Sequence, residues 1–414
     1  GLSRGNTMML SSDANATPHL ECLPTRRTCP FNPPEEYRFI RQECPVVRVK
    51  TPRGDFAWLV TRHQDVKKAL SDKRLSSDPR SVGFPTYISG EVPPPPGFFL
   101  QLDAPDHTRL RKAVTEEFLN AHVEKLKPQM TAIIQRQLDE LLSMQPPVDF
   151  VKAFAIPASA KIICELLGTP VEDHPFVQSR TDTVLDRSSP PELAEQAAIE
   201  LMGYFDRIVT EKERAPGDDL LGRLIHKAQQ EHQPSHEEIV GLAALLLLSA
   251  YDTMALAMGL GVVTLLNNPA QLQAFLADID LGNDLVYELV RYLTINHAGL
   301  PRAALEDTEI GGQQIKAGEG VLIMLSSANR DEEIFEQPDV FNLHRREKTQ
   351  LGFGHGIHKC LGMHFARAEL TIAFHAIFTR IPSLAIAVPQ ETLTYRDEMV
   401  LYGLKALPVS WQPA

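Results

Sequence analysis

The chain has 414 residues, 43% hydrophobic and 23% charged, an ordinary globular balance with enough apolar material for a large core. A formal charge of −12, with no lysine- or arginine-dense block to offset it, argues against a nucleic-acid binder. Five cysteines (Cys22, Cys29, Cys44, Cys164 and Cys360) form no CxxC pair and no regular ladder, which argues against a disulfide framework and for a reducing, cytoplasmic setting.

In chain order, residues 1–30 are polar and carry no apolar run, so they are expected to form a flexible leader ahead of a folded unit spanning 31–414. "VVRVK" (46–50) and "FAWLVT" (56–61) read as strands. "DAPDHTRLRKAVTEEF" predicts a helix with Asp103 as its cap and Pro105 in its first turn. Further helices are expected at 129–143, 157–167, 191–213 and 218–230. Ser235 and Glu238 in "SHEE" form a capping box that opens a long apolar stretch running to Leu266. That stretch has the length of a membrane span, but Asp252 near its centre would cost about 3 kcal/mol on insertion. No basic cluster flanks it, so a helix buried in a large core is the better reading and no membrane span is expected. Helices at 283–293 and 361–380 follow, with strands at 308–315, 320–325 and 404–411. Strand segments lie near both ends and must pair across the chain, which predicts one large, mainly α unit with a small β region.

The stretch "LGFGHGIHKCLGMHF" (351–365) concentrates the chemistry. His355, His358, Cys360 and His364 have tolerable zinc spacing, but a structural zinc site usually draws ligands from two separate knuckles. Nothing in a zinc knot requires glycines at 352, 354, 356 and 362 either. A single soft thiolate suits iron as well. Glycines allow close approach to a flat cofactor, with backbone amides free to point at the sulfur and tune its donation.

"FGHGIHKCLG" resembles the cysteine-ligand loop of the cytochrome P-450 family, FGxGxHxCxG, with every fixed position filled: Phe353, Gly354, Gly356, His358, Cys360 and Gly362. "ELVR" resembles the family's ExxR. Glu288 and Arg291 lie three residues apart on one helix face, and Arg345 in "FEQPDVFNLHR" is the third member of the expected structural network. "SAYDTM" resembles the family's acid–alcohol signature, with Asp252 and Thr253 at the two positions. Ala250 stands there in place of the usual glycine and Met254 in place of a common second threonine. Read without the family, a threonine in an apolar helix bonds back to the previous turn. "HTRLR" places His107 and Arg111 on one helix face, and Arg302 follows in "LPRAALED".

The resemblance implies the cytochrome P-450 fold, a single triangular-prism domain around a central haem b. Cys360 would ligate the iron, with Phe353, Gly354, Gly362 and Ala250 against the haem. His107, Arg111, Arg302 and His358 would hold its propionates, and Asp252 and Thr253 would relay protons. The implied reaction is that of a haem-thiolate monooxygenase, using O2 to hydroxylate or epoxidise a medium-sized hydrophobic molecule of secondary metabolism. Phe84, Phe98, Leu246, Ala250, Asn296, His297, Met399 and Val400 would line its pocket, although His297 also reads as a surface-loop histidine. The chain has no Rossmann GxGxxG and no flavin domain. Electrons would therefore come from NAD(P)H through a ferredoxin or flavodoxin and its reductase, drawn by Lys359, Arg109 and Lys112 to a monomer. A nitric oxide reductase or peroxygenase on the same fold is the alternative, and a non-enzymatic haem binder a further one. An intact Asp252–Thr253 pair favours oxygen activation.

Overall fold

The computed structural model describes residues 18–51, 53–85, 93–186, 189–397 and 399–413. The predicted pairing of the two chain ends is present. A six-stranded sheet runs in the order His19–Leu20, Val46–Lys50, Phe56–Val60, Gly320–Ile323, Leu300–Ala304, Leu75–Ser76. Phe56–Val60 lies parallel to Gly320–Ile323, with Ala57 opposite Gly320, and Leu300–Ala304 runs antiparallel on the other side. A second, three-stranded sheet joins Ala385–Ile386, Pro408–Ser410 and Val148–Asp149.

The expected boundary at residue 30 does not coincide with a structural one. His19–Leu20 pairs parallel with Val46–Lys50, and Leu20 is buried in a small core with Tyr37, Ile40, Val47 and Leu59. The local sequence is polar, and only a distant apolar surface makes these residues part of the fold. Residues 1–17 of the expected leader lie outside the described residues.

Helices make up the bulk. The long helix His236–Leu266 opens on the predicted capping box: Ser235 Oγ accepts from the Glu238 amide, and the Glu238 carboxylate accepts from the Ser235 amide at 3.0 Å. It is long and apolar enough to cross a membrane, yet most of it is buried inside the protein. It packs on the helices Ile156–Leu167, Pro191–Arg214 and Met363–Arg380. Its cover is interrupted once, where Leu248–Ala250 and Thr253–Met254 are only partly buried or exposed. Gly241 permits the Pro96–Gly97 turn to cross near its start, because a Cβ there would sit 1.6 Å from the Pro96 carbonyl.

Three expectations change. Asp103 does not cap the helix Asp106–Thr115; its carboxylate turns back to accept from Ser76 Oγ and the Ser77 amide. The helix expected at 129 begins at Asn120 and runs through Pro128, held by a buried face of Val123, Met130, Ile133, Ile134, Leu138 and Leu141. Burial of that face outweighs the one amide donor that proline removes. The strand expected at 308–315 is a hairpin, Thr308–Ile310 with Gln313–Ile315, because Gly311 and Gly312 both take positive φ and close a two-residue turn.

Candidate active site

The cysteine loop is built from the backbone outward. The Gly354 amide donates to the Leu351 carbonyl at 2.8 Å, and the Cys360 amide donates to the Phe353 carbonyl at 2.7 Å, closing the loop on itself. Gly354 and Gly356 take φ of 75° and 78°, a left-handed conformation that costs a side-chain-bearing residue about 1–2 kcal/mol. At Gly356 a Cβ would also lie 2.6 Å from the Leu70 carbonyl. Gly362 begins the helix Met363–Arg380, and its amide faces Cys360 Sγ. Cys360 lies deep in the fold, yet protein atoms leave its side chain uncovered on one side. Burial pushes its thiol pKa up, opposed by the Gly362 amide, Arg111 and Lys359.

The loop is anchored from beneath. Glu288 binds Arg291 at 2.6 Å and Arg345 at 3.1 Å, all three buried. Arg291 also donates to the carbonyls of Asn329, Pro338 and Val340, and Asn329 Oδ1 accepts from the Leu351 amide where the loop starts. This buried, fully bonded network ties the helix Gly282–Leu293 to the cysteine loop.

Beside the loop lies a cluster of basic groups in which several ring nitrogens have no partner. The rings of His107 and His358 are 4.3 Å apart. Among the described residues, His107 Nε2 and both ring nitrogens of His358 are buried with no well-placed hydrogen-bond partner; the Leu102 and Ile357 backbones oppose the downward shifts of His358 and His107. Burial, then Arg302, His107 and Arg111, pushes the His358 pKa down to about 3. Arg302 is pushed down to about 10 by burial, and among the described residues it donates to the Pro301 carbonyl. Burial also lowers Arg111 and His107. Four basic groups, His107 and Arg302 buried and Arg111 and His358 half-buried, converge with no carboxylate bound to them among the described residues, an arrangement costly unless an anion completes it. Two propionates beside a thiolate-bound iron fit these residues. By contrast, His355, His358, Cys360 and His364 do not gather: among the described residues no three His, Cys, Asp or Glu side chains converge on a metal position.

Across from the loop, Asp252 is buried on the long helix and its carboxylate accepts from Arg396 at 3.0 and 3.2 Å. Burial raises the Asp252 pKa and Arg396 opposes it. Thr253 donates back to the Ser249 carbonyl at 2.5 Å, as a threonine in an apolar helix does, while its side chain stays partly open. Ala250 is half-buried in the same uncovered stretch, and Leu246 is buried one turn earlier. Sequence reasoning missed Arg396, which lies 144 residues from Asp252; the only signal was a carboxylate in an apolar run that had to find a cation.

The remaining expected pocket residues separate into groups. Asn296, His297, Met399 and Val400 come together: Asn296 bridges Leu401, and the His297 amide donates to the Val400 carbonyl at 3.3 Å. Phe84 and Phe98 are half-buried on other stretches. His297 is neither a surface-loop residue nor a free polar anchor. Its Nδ1 accepts from Arg27 at 3.0 Å and its Nε2 donates to the Met399 carbonyl at 2.5 Å, so both ring nitrogens are used. Arg109, expected as a surface cation, is held by Glu238 at 2.6 Å and by Asp106. Lys112 and Lys359 are exposed.

The comparisons agree with this geometry. The cytochrome P-450 family model matches residues 192–381. The vitamin D3 dihydroxylase of Streptomyces griseolus is 36% identical over 392 residues, covering 94% of this chain and 96% of that protein. The 20-oxo-5-O-mycaminosyltylactone 23-monooxygenase of Streptomyces fradiae is 36% identical over 389 residues, 94% of this chain and 92% of that protein. The crystal structure of cytochrome P-450 MoxA from Nonomuraea recticatena superposes with a TM-score of 0.89 at 40% identity, covering 95% of this chain and 99% of that one. With a glycine-rich cysteine loop, a basic cluster beside it and relatives matched over nearly their whole length, this chain belongs to the cytochrome P-450 family.

Proposed function

We propose that this chain is a haem-thiolate monooxygenase that hydroxylates or epoxidises a medium-sized hydrophobic molecule of secondary metabolism. The observation that carries the reading is the pairing of an exposed Cys360 with the His107–His358 pair, whose buried ring nitrogens lack partners among the described residues, and with Arg111 and Arg302 beside them. Cys360 would hold the iron, while His107, Arg111, Arg302 and His358 would hold the propionates. When bound, haem supplies oxygen activation, to which a thiolate ligand contributes by favouring O–O cleavage.

The chain's own residues then do three things. The Gly362 amide, pointed at Cys360 Sγ, moderates the thiolate's donation. Asp252 and Thr253 move protons: burial biases the Asp252 carboxyl toward holding a proton, and its ion pair with Arg396 biases it toward releasing one. A carboxyl shifted upward by burial and held by one cation suits proton transfer. The uncovered stretch at Ala250, Thr253 and Met254, with the apolar Leu246, Met399 and Val400, receives the substrate and excludes bulk water. Electrons come from NAD(P)H by way of a ferredoxin or flavodoxin and its reductase, with Lys112 and Lys359 offering positive charge to an acidic partner.

The test is a screen of hydrophobic metabolites by the iron spin-state shift, followed by product analysis with a ferredoxin, its reductase and NADPH. A thiolate-type Soret band of the reduced carbon monoxide complex and an oxygenated product are expected. Rapid reduction of the nitric oxide complex by NADH alone would overturn the monooxygenase reading.

A further inference from the structure

We propose that residues 27–32 form a strap that shapes the substrate side of the site, with Arg27 and His297 as specificity-determining positioning residues. The inference rests on the monooxygenase reading only in calling that side the substrate side. The contacts themselves are independent of it.

The strap begins with Arg27, whose guanidinium stacks 3.6 Å from the centroid of the Tyr402 ring and donates to His297 Nδ1 at 3.0 Å. The same guanidinium donates to the carbonyls of Pro30 and Asn32, curling the strap around it. Tyr402 Oη donates to the Pro30 carbonyl at 2.6 Å, so strap and turn grip each other from both directions. Further on, Phe31 stacks on Tyr292 and meets Tyr395 edge-on, while Tyr395 lies parallel to Tyr402 at 5.6 Å. Arg330 fixes the end of the strap by donating to the Phe31 carbonyl and Asn32 Oδ1.

Two chain segments are held by this clamp, and the second of them meets the long helix at Asp252 and Leu256. The Tyr402 amide donates to the Ile295 carbonyl, and Asn296 bridges Leu401, so the segments run side by side. His297 locks them, accepting from Arg27 and donating to the Met399 carbonyl, a pattern that only the neutral Nε2–H ring can make. The second segment then delivers Arg396 to Asp252, and its Gly403 packs so closely on Leu256 that a Cβ would lie 2.2 Å from it. Displacing the strap therefore moves Met399 and Val400 and loosens Arg396 beside the uncovered stretch of the helix. A shift of about 1 Å in such a wall costs up to roughly a hundredfold in a reaction that depends on orientation.

The test uses the haem-loaded protein and two azole probes, imidazole as the small one and clotrimazole as the bulky one. In Arg27→Ala, amide hydrogen exchange at 395–402 should rise and clotrimazole affinity should fall about tenfold relative to imidazole. Arg27→Lys keeps the charge but not the planar fork, and His297→Gln keeps one donor and one acceptor; both should fall between wild type and Arg27→Ala. These gentler variants carry the test if Arg27→Ala does not fold. Equal weakening of both azoles, in step with a lower melting temperature, would show a general stabiliser and overturn the proposal. Unchanged exchange at 395–402 would overturn it as well. Absence of a thiolate-type carbon monoxide band in the wild-type protein would instead strike the monooxygenase reading and leave the strap standing.

Discussion

A carboxylate in the middle of an apolar helix needs a cation, and Asp252 has Arg396. Asp252→Asn keeps the shape and removes the exchangeable charge. Product formation should fall by about a hundredfold or more, with a larger solvent isotope effect and more reducing equivalents lost as peroxide. A rate within a factor of about two of wild type would remove Asp252 from the proposed proton relay. His297 carries a prediction about stability. Burial and then Arg27 push its pKa down from 6.5 to about 4, so the folded protein holds the neutral ring. Below pH 6.5 the unfolded chain takes up the proton first, and stability is lost as the pH falls toward about 4. That single group contributes at most about 3 kcal/mol. Urea unfolding at neutral pH and near the lower limit should show a smaller acid loss for His297→Gln than for wild type; equal losses would contradict the assignment.

At the scale of elements, the cysteine loop depends on two left-handed glycines that differ in their surroundings. Gly354→Ala meets only the backbone strain, since its Cβ would find nothing nearer than 3.6 Å. Gly356→Ala meets the same strain, about 1–2 kcal/mol, and also the Leu70 carbonyl at 2.6 Å. Gly356→Ala should therefore lower the melting temperature and haem retention more than Gly354→Ala, and the reverse order would refute the loop geometry. The elements also show where local reading succeeds. The capping box at Ser235 and Glu238 is a contact between near neighbours, so four letters predict it. The hairpin at 308–315 was read as one strand because alternation alone does not reveal that Gly311 and Gly312 both turn left-handed. Asp103 is a good cap by type, but Ser76 and Ser77, brought in by another strand, compete for its oxygens.

Across the whole molecule, Glu288 pairs with two arginines that are themselves bonded to five different backbone carbonyls, so it holds the ExxR helix, the 336–345 segment and the cysteine loop together. Glu288→Gln leaves two buried guanidiniums without a carboxylate, and chemical denaturation should show a loss of about 3–5 kcal/mol. A loss below about 1 kcal/mol would mean that the carbonyls alone satisfy them.

What the sequence by itself determined was the chemistry of short range: the thiolate loop, the helix-spaced Glu288–Arg291 and His107–Arg111 pairs, the buried reading of the long helix, and through these the family. Each depends on residues within a turn or two of one another, where covalent geometry sets the distance. The tertiary structure alone decided what crosses long separations: Arg396 on Asp252, Arg27 on His297 and Tyr402, and a polar N-terminal stretch drawn into the sheet by Leu20. A buried charge announces that it needs a partner but not which one. The choice among 41 lysines and arginines is made only when packing of the whole core fixes the loops that carry them.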